Sequence, residues 1–119
     1  MEHEVCRAKI SHLTVTRTEV DYIEGSLTVD GELLDEAGLY PYERVLVINT
    51  NSGDRFETYL IAGEEGERNV CLNGGTARLG LVGDELIVLC FARVSRQEIE
   101  DFEPVIYKAG ENNELTRKK

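Results

Sequence analysis

Apolar and polar residues alternate with a period of two along most of the chain. Val5 to Ile10 and Leu13 to Thr16 read as short half-buried strands, with Leu13 and Val15 facing one way and Thr14 and Thr16 the other. The alternation continues through Val20 and Tyr22 and resumes at Leu27 and Val29, on either side of a Gly25-Ser26 turn. Asp30 is placed to N-cap a short helix from Glu32 to Ala37, with Leu33, Leu34 and Ala37 inward and Gly38 closing it in the left-handed conformation. Val45-Leu46-Val47-Ile48 is apolar on both faces, which predicts an interior strand from Arg44 to Asn49. A hairpin connection at Asn51-Ser52-Gly53-Asp54 then returns the chain through Arg55 to Ala62. On that strand Phe56, Thr58 and Leu60 share one face, and Arg55, Glu57, Tyr59 and Ile61 share the other.

Gly63 to Arg68 reads as a solvated polar turn, followed by a strand stub at Val70-Cys71-Leu72. Asn73-Gly74-Gly75 leads into a single helical turn over Thr76 to Gly80. Glu85 to Arg93, after a tight Gly83-Asp84 turn, is expected to be the longest strand. Ser95 and Glu98 have the spacing of a capping box for a short helix ending near Phe102. Val105 to Lys108 is the last strand expected, and 111–119 reads as a polar, mobile tail. Many short strands, two or three short helices and frequent glycine turns predict a mainly β protein, a small closed barrel. The 119 residues are enough for one domain, 1–119, with a modest core.

Composition narrows the partners. Hydrophobic residues make up 41% and charged residues 30%, a globular rather than a disordered balance. Thirteen basic and 23 acidic side chains give a net charge of −10, which argues against nucleic acid, since phosphate binding needs a basic face. An acidic ligand must then be drawn by local cations. The start, Met1-Glu2-His3-Glu4, has no signal-peptide character. The longest apolar run, Leu86 to Ala92, is seven residues, so no membrane span and a cytoplasmic location are expected. Cys6, Cys71 and Cys90 are read as buried reduced thiols, and His3 and His12 as surface residues without a metal role.

The one stretch with distinctive chemistry is Gly25-Ser26. A glycine carbonyl followed by a serine hydroxyl, held in a strained turn, is suited to an N-to-O acyl shift. β-Elimination and hydrolysis of the resulting ester would leave a pyruvoyl group on the new N-terminus. That ketone can form a Schiff base with an amine and act as an electron sink, as pyridoxal phosphate does elsewhere. Gly-Ser is also a common ordinary turn.

Several segments, in order and at similar spacing, resemble the aspartate 1-decarboxylase family of pyruvoyl enzymes. They are Lys9-Ile10, Thr14-Val15-Thr16, Tyr22 followed by Gly25-Ser26, and Asp30 to Gly38. Further on come Asn51-Ser52-Gly53-Asp54-Arg55-Phe56-Glu57-Thr58-Tyr59, Leu72 to Gly75 with Ala77-Arg78-Leu79, and Val82-Gly83-Asp84. The resemblance implies a double-psi β-barrel, cleaved autocatalytically from a zymogen into residues 1–25 and 26–119. It implies a homotetramer with active sites between subunits, and decarboxylation of L-aspartate to β-alanine for pantothenate and coenzyme A synthesis. No metal and no pyridoxal phosphate are implied.

It also implies roles. Ser26 is the pyruvoyl precursor and Tyr59 the proton donor, a phenol that stays protonated at neutral pH with a reference pKa of about 10. Arg55 grips the spectator carboxylate through paired hydrogen bonds, and Lys9 adds positive potential. Thr58 donates near the scissile carbonyl during processing, and also lies near the substrate. Asn73 orients the Gly25-Ser26 site, and Gly74, Gly75 and Thr76 surround the substrate. Taken without the family, Arg55 is a hairpin-end charge and Tyr59 a packed barrel tyrosine.

Three departures stand out. Ile23-Glu24 occupies what is commonly one position before Gly25-Ser26, which bears on strain and processing. Ser11 stands where a histidine is frequent, with His12 next to it. Gly75-Thr76 replaces two small alanines and leaves glutamate open as an alternative substrate. An uncleaved, non-catalytic small-barrel binding module is the non-enzyme alternative.

Overall fold

In the computed structural model, which describes residues 1–21 and 25–118, local sequence signals and long-range pairings together set the elements. Strand β1 spans Glu2–Thr14, β2 Arg17–Glu19, β3 Ser26–Asp30, β4 Arg44–Asn49 and β5 Arg55–Gly63. They are followed by β6 Val70–Asn73, β7 Glu85–Ser95, β8 Val105–Ala109 and β9 Leu115–Lys118. Helix α1 covers Gly31–Ala37 and α2 covers Arg96–Ile99, with a 3-10 turn at Gly74–Leu79 and another at Glu111–Asn113.

The strands form one mixed sheet in the order β2-β6-β3-β5-β4-β7-β1-β8-β9. Three neighbouring pairs are parallel, β1 with β8, β2 with β6 and β3 with β5; the others are antiparallel. Crossover connections of this kind wrap the sheet around one apolar core. The fold is a small double-psi β-barrel whose edges, β2 and β9, are not paired to each other among the described residues, so closure is not strict. Ile10, Leu13, Leu27, Val47, Leu60 and Leu86 are at most 1% exposed and form the centre of that core. Burying each such side chain contributes roughly 1.5–3 kcal/mol.

Helix α1 forms because its signals agree. Asp30 accepts from the Glu32 N–H at 2.8 Å, Leu33, Leu34 and Ala37 turn inward, and Gly38 caps the C-terminus at φ 72°. The capping box of α2 is present as well, with Ser95 and Glu98 bonding reciprocally, though that helix is a single turn.

Four expectations are corrected. The first two strands are one, β1, which is longer than β7. Its pairing with β7 is interrupted between Cys6 and Ala8 and between Ile10 and Leu13, and His12 takes φ 59° there. The bulge breaks the alternation without ending the strand. The 111–119 tail is ordered structure through Lys118: β9 pairs antiparallel with β8, from Ala109 opposite Leu115 to Ile106 opposite Lys118. Cys71 and Cys90 are buried free thiols, but Cys6 is only half-buried.

The Gly63–Arg68 loop, finally, is not merely solvated, because Arg68 is 5% exposed. Its backbone N–H and that of Gly66 donate to Asp30 Oδ2, and its guanidinium bonds Glu36 at 2.8 Å and the Asn113 carbonyl at 2.7 Å. Asn113 in turn exchanges hydrogen bonds with the Thr14 backbone, which ties the chain's end to β1.

Burial pushes the Asp30 carboxyl upward, but the N–H groups of Arg68, Glu32, Leu33 and Gly66 outweigh it and hold the carboxyl below the usual carboxylate range. A depressed folded-state pKa contributes stability above the unfolded value of about 3.9, and that stability is lost as pH falls through the folded value. Asp30→Asn should therefore lower unfolding free energy by about 1–3 kcal/mol at neutral pH, with a smaller difference from wild type below about pH 4. Urea melts at pH 7 and pH 3 check this; equal losses at both would show that the charge is immaterial.

Candidate active site

Ser26 opens β3, between β6 and β5, and is fully buried. Antiparallel register sets it opposite Asn73 at the end of β6. The Asn73 Nδ2 donates to Ser26 Oγ at 3.0 Å and to Thr28 Oγ1 at 2.7 Å. On the other side of the amide, the Cys71 thiol donates to Asn73 Oδ1 at 3.2 Å. Cys71 and Asn73 are two apart on one strand face, so the thiol fixes which end of the amide meets the serine. Burial raises the Cys71 pKa above the ordinary thiol value, so it remains a protonated donor at neutral pH.

Parallel register brings β5 alongside β3, with Leu27 opposite Leu60. Two residues earlier on β5, the Thr58 hydroxyl donates to the Gly25 carbonyl at 3.1 Å. The carbonyl preceding Ser26 thus has a donor already in place. The carbonyl following it has another, since Thr76 Oγ1 lies 2.9 Å from Ser26 O and 2.8 Å from Asn73 O. Gly74, at φ 60°, supplies the left-handed conformation that turns the chain from β6 into the 3-10 turn carrying Thr76. Gly75 is exposed, and a Cβ there would meet nothing within 4 Å.

Lys9, Arg55 and Tyr59 stand elsewhere. In cross-strand register Lys9 lies opposite Leu89, Leu89 opposite Leu46, and Leu46 opposite Glu57. The neighbouring outward row runs Ile87, Ile48, Arg55, and Tyr59 lies opposite Arg44. Opposed residues point to the same side of a sheet. Lys9, Arg55 and Tyr59 therefore share the outer face, around an apolar patch of Leu46, Ile48, Ile87 and Leu89 that is only half-buried. Arg55 is exposed and forms no ion pair among the described residues, whereas its neighbour Glu57 is paired with Arg44 at 2.5 Å.

Sequence reasoning named Ser26, Thr58 and Asn73, and the structure brings these together. It read Cys71 only as a buried thiol and did not place it or Thr28 at the site, where their only signal was their parity with Asn73 and Ser26 on adjacent strands. The extra residue at Ile23-Glu24, and Tyr22 before it, lie outside the described residues. Among the described residues no group of three or more His, Cys, Asp or Glu side chains could hold a metal ion, and no helix is long and apolar enough to cross a membrane.

Ser26 is thus a buried serine whose hydroxyl and two flanking carbonyls are all held by side-chain donors. Comparison with known proteins supplies the family. The sequence model of a family described as aspartate decarboxylase matches residues 1–116. An aspartate 1-decarboxylase of Salinibacter ruber is 50% identical over 117 residues, covering 98% of this chain and 80% of its own. One of Leptospira biflexa is 49% identical over 110 residues, 92% of each chain. One of Chlorobium phaeovibrioides is 43% identical over 118 residues, 99% of this chain and 91% of its own. The protein is thus an enzyme of the decarboxylase class built on a small β-barrel. More particularly, the chain belongs to the aspartate decarboxylase family.

Proposed function

We propose that the protein is a zymogen that cleaves itself between Gly25 and Ser26 and then decarboxylates L-aspartate to β-alanine, the precursor used in pantothenate synthesis. The observation that carries this reading is the paired hold on the bond, Thr58 Oγ1 on the Gly25 carbonyl and Asn73 Nδ2 on Ser26 Oγ. Attack of Oγ on the Gly25 carbonyl carbon moves negative charge onto the carbonyl oxygen, where the Thr58 hydroxyl already donates. Collapse gives an ester and a free Ser26 amine. Elimination then releases the Gly25 carboxylate, and hydrolysis of the remaining enamine exchanges ammonia for water. The residues at the site fit the resulting pyruvoyl group, which needs a buried β3 terminus and donors at its oxygens. When formed, that group supplies an electron sink for an amine substrate.

In turnover Arg55 pairs with the side-chain carboxylate of aspartate, Lys9 adds positive potential, and Tyr59 delivers the proton that replaces CO2. The exposed Gly75 leaves room beside Ser26 for a small substrate. Lys9, Arg55 and Tyr59 occupy a different face of the subunit from the Ser26 cluster, which supports a homotetramer in which the outer face of one subunit covers the Ser26 cluster of its neighbour. The half-buried patch of Leu46, Ile48, Ile87 and Leu89 is the apolar contact such an association needs.

Purified protein should resolve into pieces 1–25 and 26–119, the larger resisting Edman degradation and releasing CO2 from aspartate. A single uncleaved chain without activity would leave the binding-module reading. Arg55→Ala should cleave normally yet lose about ten- to hundredfold in kcat/KM, since a charge-assisted hydrogen bond contributes ~1.5–3 kcal/mol. Unchanged kinetics would return Arg55 to a surface charge.

A further inference from the structure

Thr76 bonds Ser26 and stands on the open side of Gly25. Its Cγ2 is the nearest atom to where a Cβ on Gly25 would stand, at 3.9 Å, and its hydroxyl is within 2.9 Å of the Ser26 carbonyl oxygen. Thr76 is 6% exposed, and its hydroxyl lies against backbone carbonyls. Its single proton is shared between two acceptors, Ser26 O and Asn73 O, at nearly equal distances.

The chemistry proposed for this bond distinguishes the two carbonyls that flank Ser26. The acyl shift builds charge on the Gly25 oxygen, which Thr58 serves. The elimination that follows builds it elsewhere. The α proton of Ser26 leaves to a base, water or hydroxide, and the electron pair delocalises onto the Ser26 carbonyl oxygen. It then returns to form the Cα=Cβ bond as the Cβ–Oγ bond breaks and the Gly25 carboxylate departs. The oxygen that carries the transient charge is the one facing Thr76 Oγ1.

We propose that Thr76 is a positioning and electrostatic residue for the elimination step of self-processing, donating its hydroxyl to the enolate-like Ser26 oxygen. In the resting chain the proton is divided between two neutral carbonyls. As charge grows on one of them the hydrogen bond commits to it, so the contact is stronger in the transition state than in the ground state and lowers the barrier. Thr58 and Thr76 thereby divide the two steps between them. The proposal rests on the self-cleavage reading and adds to it which step this side chain governs.

The test uses the full-length chain, isolated early and followed by gel and mass spectrometry, with wild type beside Thr76→Ser, Thr76→Val and Thr76→Ala. Brief hydroxylamine treatment near neutral pH cleaves an ester much faster than a peptide bond, and the hydroxamate of 1–25 that it releases is told by mass from a cut at the labile Asn73-Gly74 bond, so it reads out the intermediate between the two steps. Serine keeps the hydroxyl and should cleave within about threefold of wild type. Valine keeps the methyl group, puts a second in place of the hydroxyl and so loses the donor. It should form the two pieces about a hundredfold more slowly, the scale of losing one oxyanion donor, and should accumulate a hydroxylamine-labile full-length ester. Should the valine variant fail to fold, serine against alanine makes the same comparison with the methyl absent from both. Melting temperatures of the position-76 variants in a Ser26→Ala background separate stability from rate. A valine variant that cleaves as fast as wild type, or is slow without ester accumulating, overturns the proposal while the cleavage reading stands. A wild-type chain that never cleaves overturns both.

Discussion

Replacing Ser26 by alanine should leave the protein as one uncleaved chain of 119 residues that releases no CO2 from aspartate. The substitution removes a single oxygen from a fully buried site, so the β3 backbone, its register with Asn73 and the core around Leu27 persist. What disappears is the proposed nucleophile for the acyl shift and leaving oxygen for the elimination, and no group among the described residues is placed to replace it. The hydroxyls nearest the bond, Thr58 and Thr76, are engaged with the Gly25 and Ser26 carbonyl oxygens respectively. Neither is the side chain of the residue whose own amide must rearrange. The alanine variant also leaves Asn73 Nδ2 with Thr28 Oγ1 alone, a loss of about 0.5–1.5 kcal/mol that the fold tolerates. Intact mass, gel mobility and CO2 release decide the matter together. An alanine variant that is cleaved and active would eliminate the pyruvoyl reading.

Tyr59→Phe should be cleaved as wild type is, and should lose 10²–10⁴-fold in kcat. The ring and its packing on β5 remain, while the phenolic proton is gone. General acid catalysis typically contributes a factor of that size, about 3–5 kcal/mol of barrier. Tyr59 lies one residue beyond Thr58 and on the opposite strand face, so it shares the outer surface with Lys9 and Arg55 and not the processing cluster. Processing and turnover should for that reason separate cleanly in this variant. With the proposed carboxylate anchor at Arg55 unchanged, borohydride should couple aspartate covalently to the 26–119 piece of the variant. A fall in kcat of less than about threefold on fully cleaved protein would make Tyr59 a packing residue only.

Features specified within a few residues were legible in the sequence, and those specified by distant partners were not. Asp30 and Gly38 bound α1, and Ser95 with Glu98 starts α2, because capping is a local bargain between a side chain and the next turn's N–H groups. A short run apolar on both faces marked β4, and the period of two marked β5 and predicted that Arg55 and Tyr59 share a face. It failed at Ser11-His12, where a bulge shifts parity inside one strand and makes it look like two. Arg68 was hidden among Gly and Glu because its partners, Asp30, Glu36 and Asn113, lie 38, 32 and 45 residues away. The polar end of the chain gave no apolar alternation to announce β9, which is held by backbone pairing to β8. At the site, Ser26 stood out through the chemistry of a Gly-Ser pair, and Thr58 and Asn73 only through family resemblance. Their meeting depends on β3 lying between β5 and β6, a matter of sheet order that periodicity does not encode. That Lys9 joins Arg55 on one face follows from register across β1, β7, β4 and β5, which is equally non-local.

The place of β1 in the sheet has a kinetic consequence. Scission after Gly25 would turn β1 and β2 into a separate peptide, yet β1 is flanked on one side by β7 and on the other by β8, and it carries Ile10 and Leu13 into the core. Such a peptide stays docked in the native state, so the cut costs little while the barrel is folded. Once unfolded, the two pieces diffuse apart, and recovery of each subunit changes from a first-order search to a second-order encounter whose rate depends on concentration. The precursor can refold in dilute solution and the mature form cannot do so at the same rate. Maturation would thus act as a ratchet: the chain folds while it is one molecule and becomes catalytic only after the order of its own folding reaction has risen.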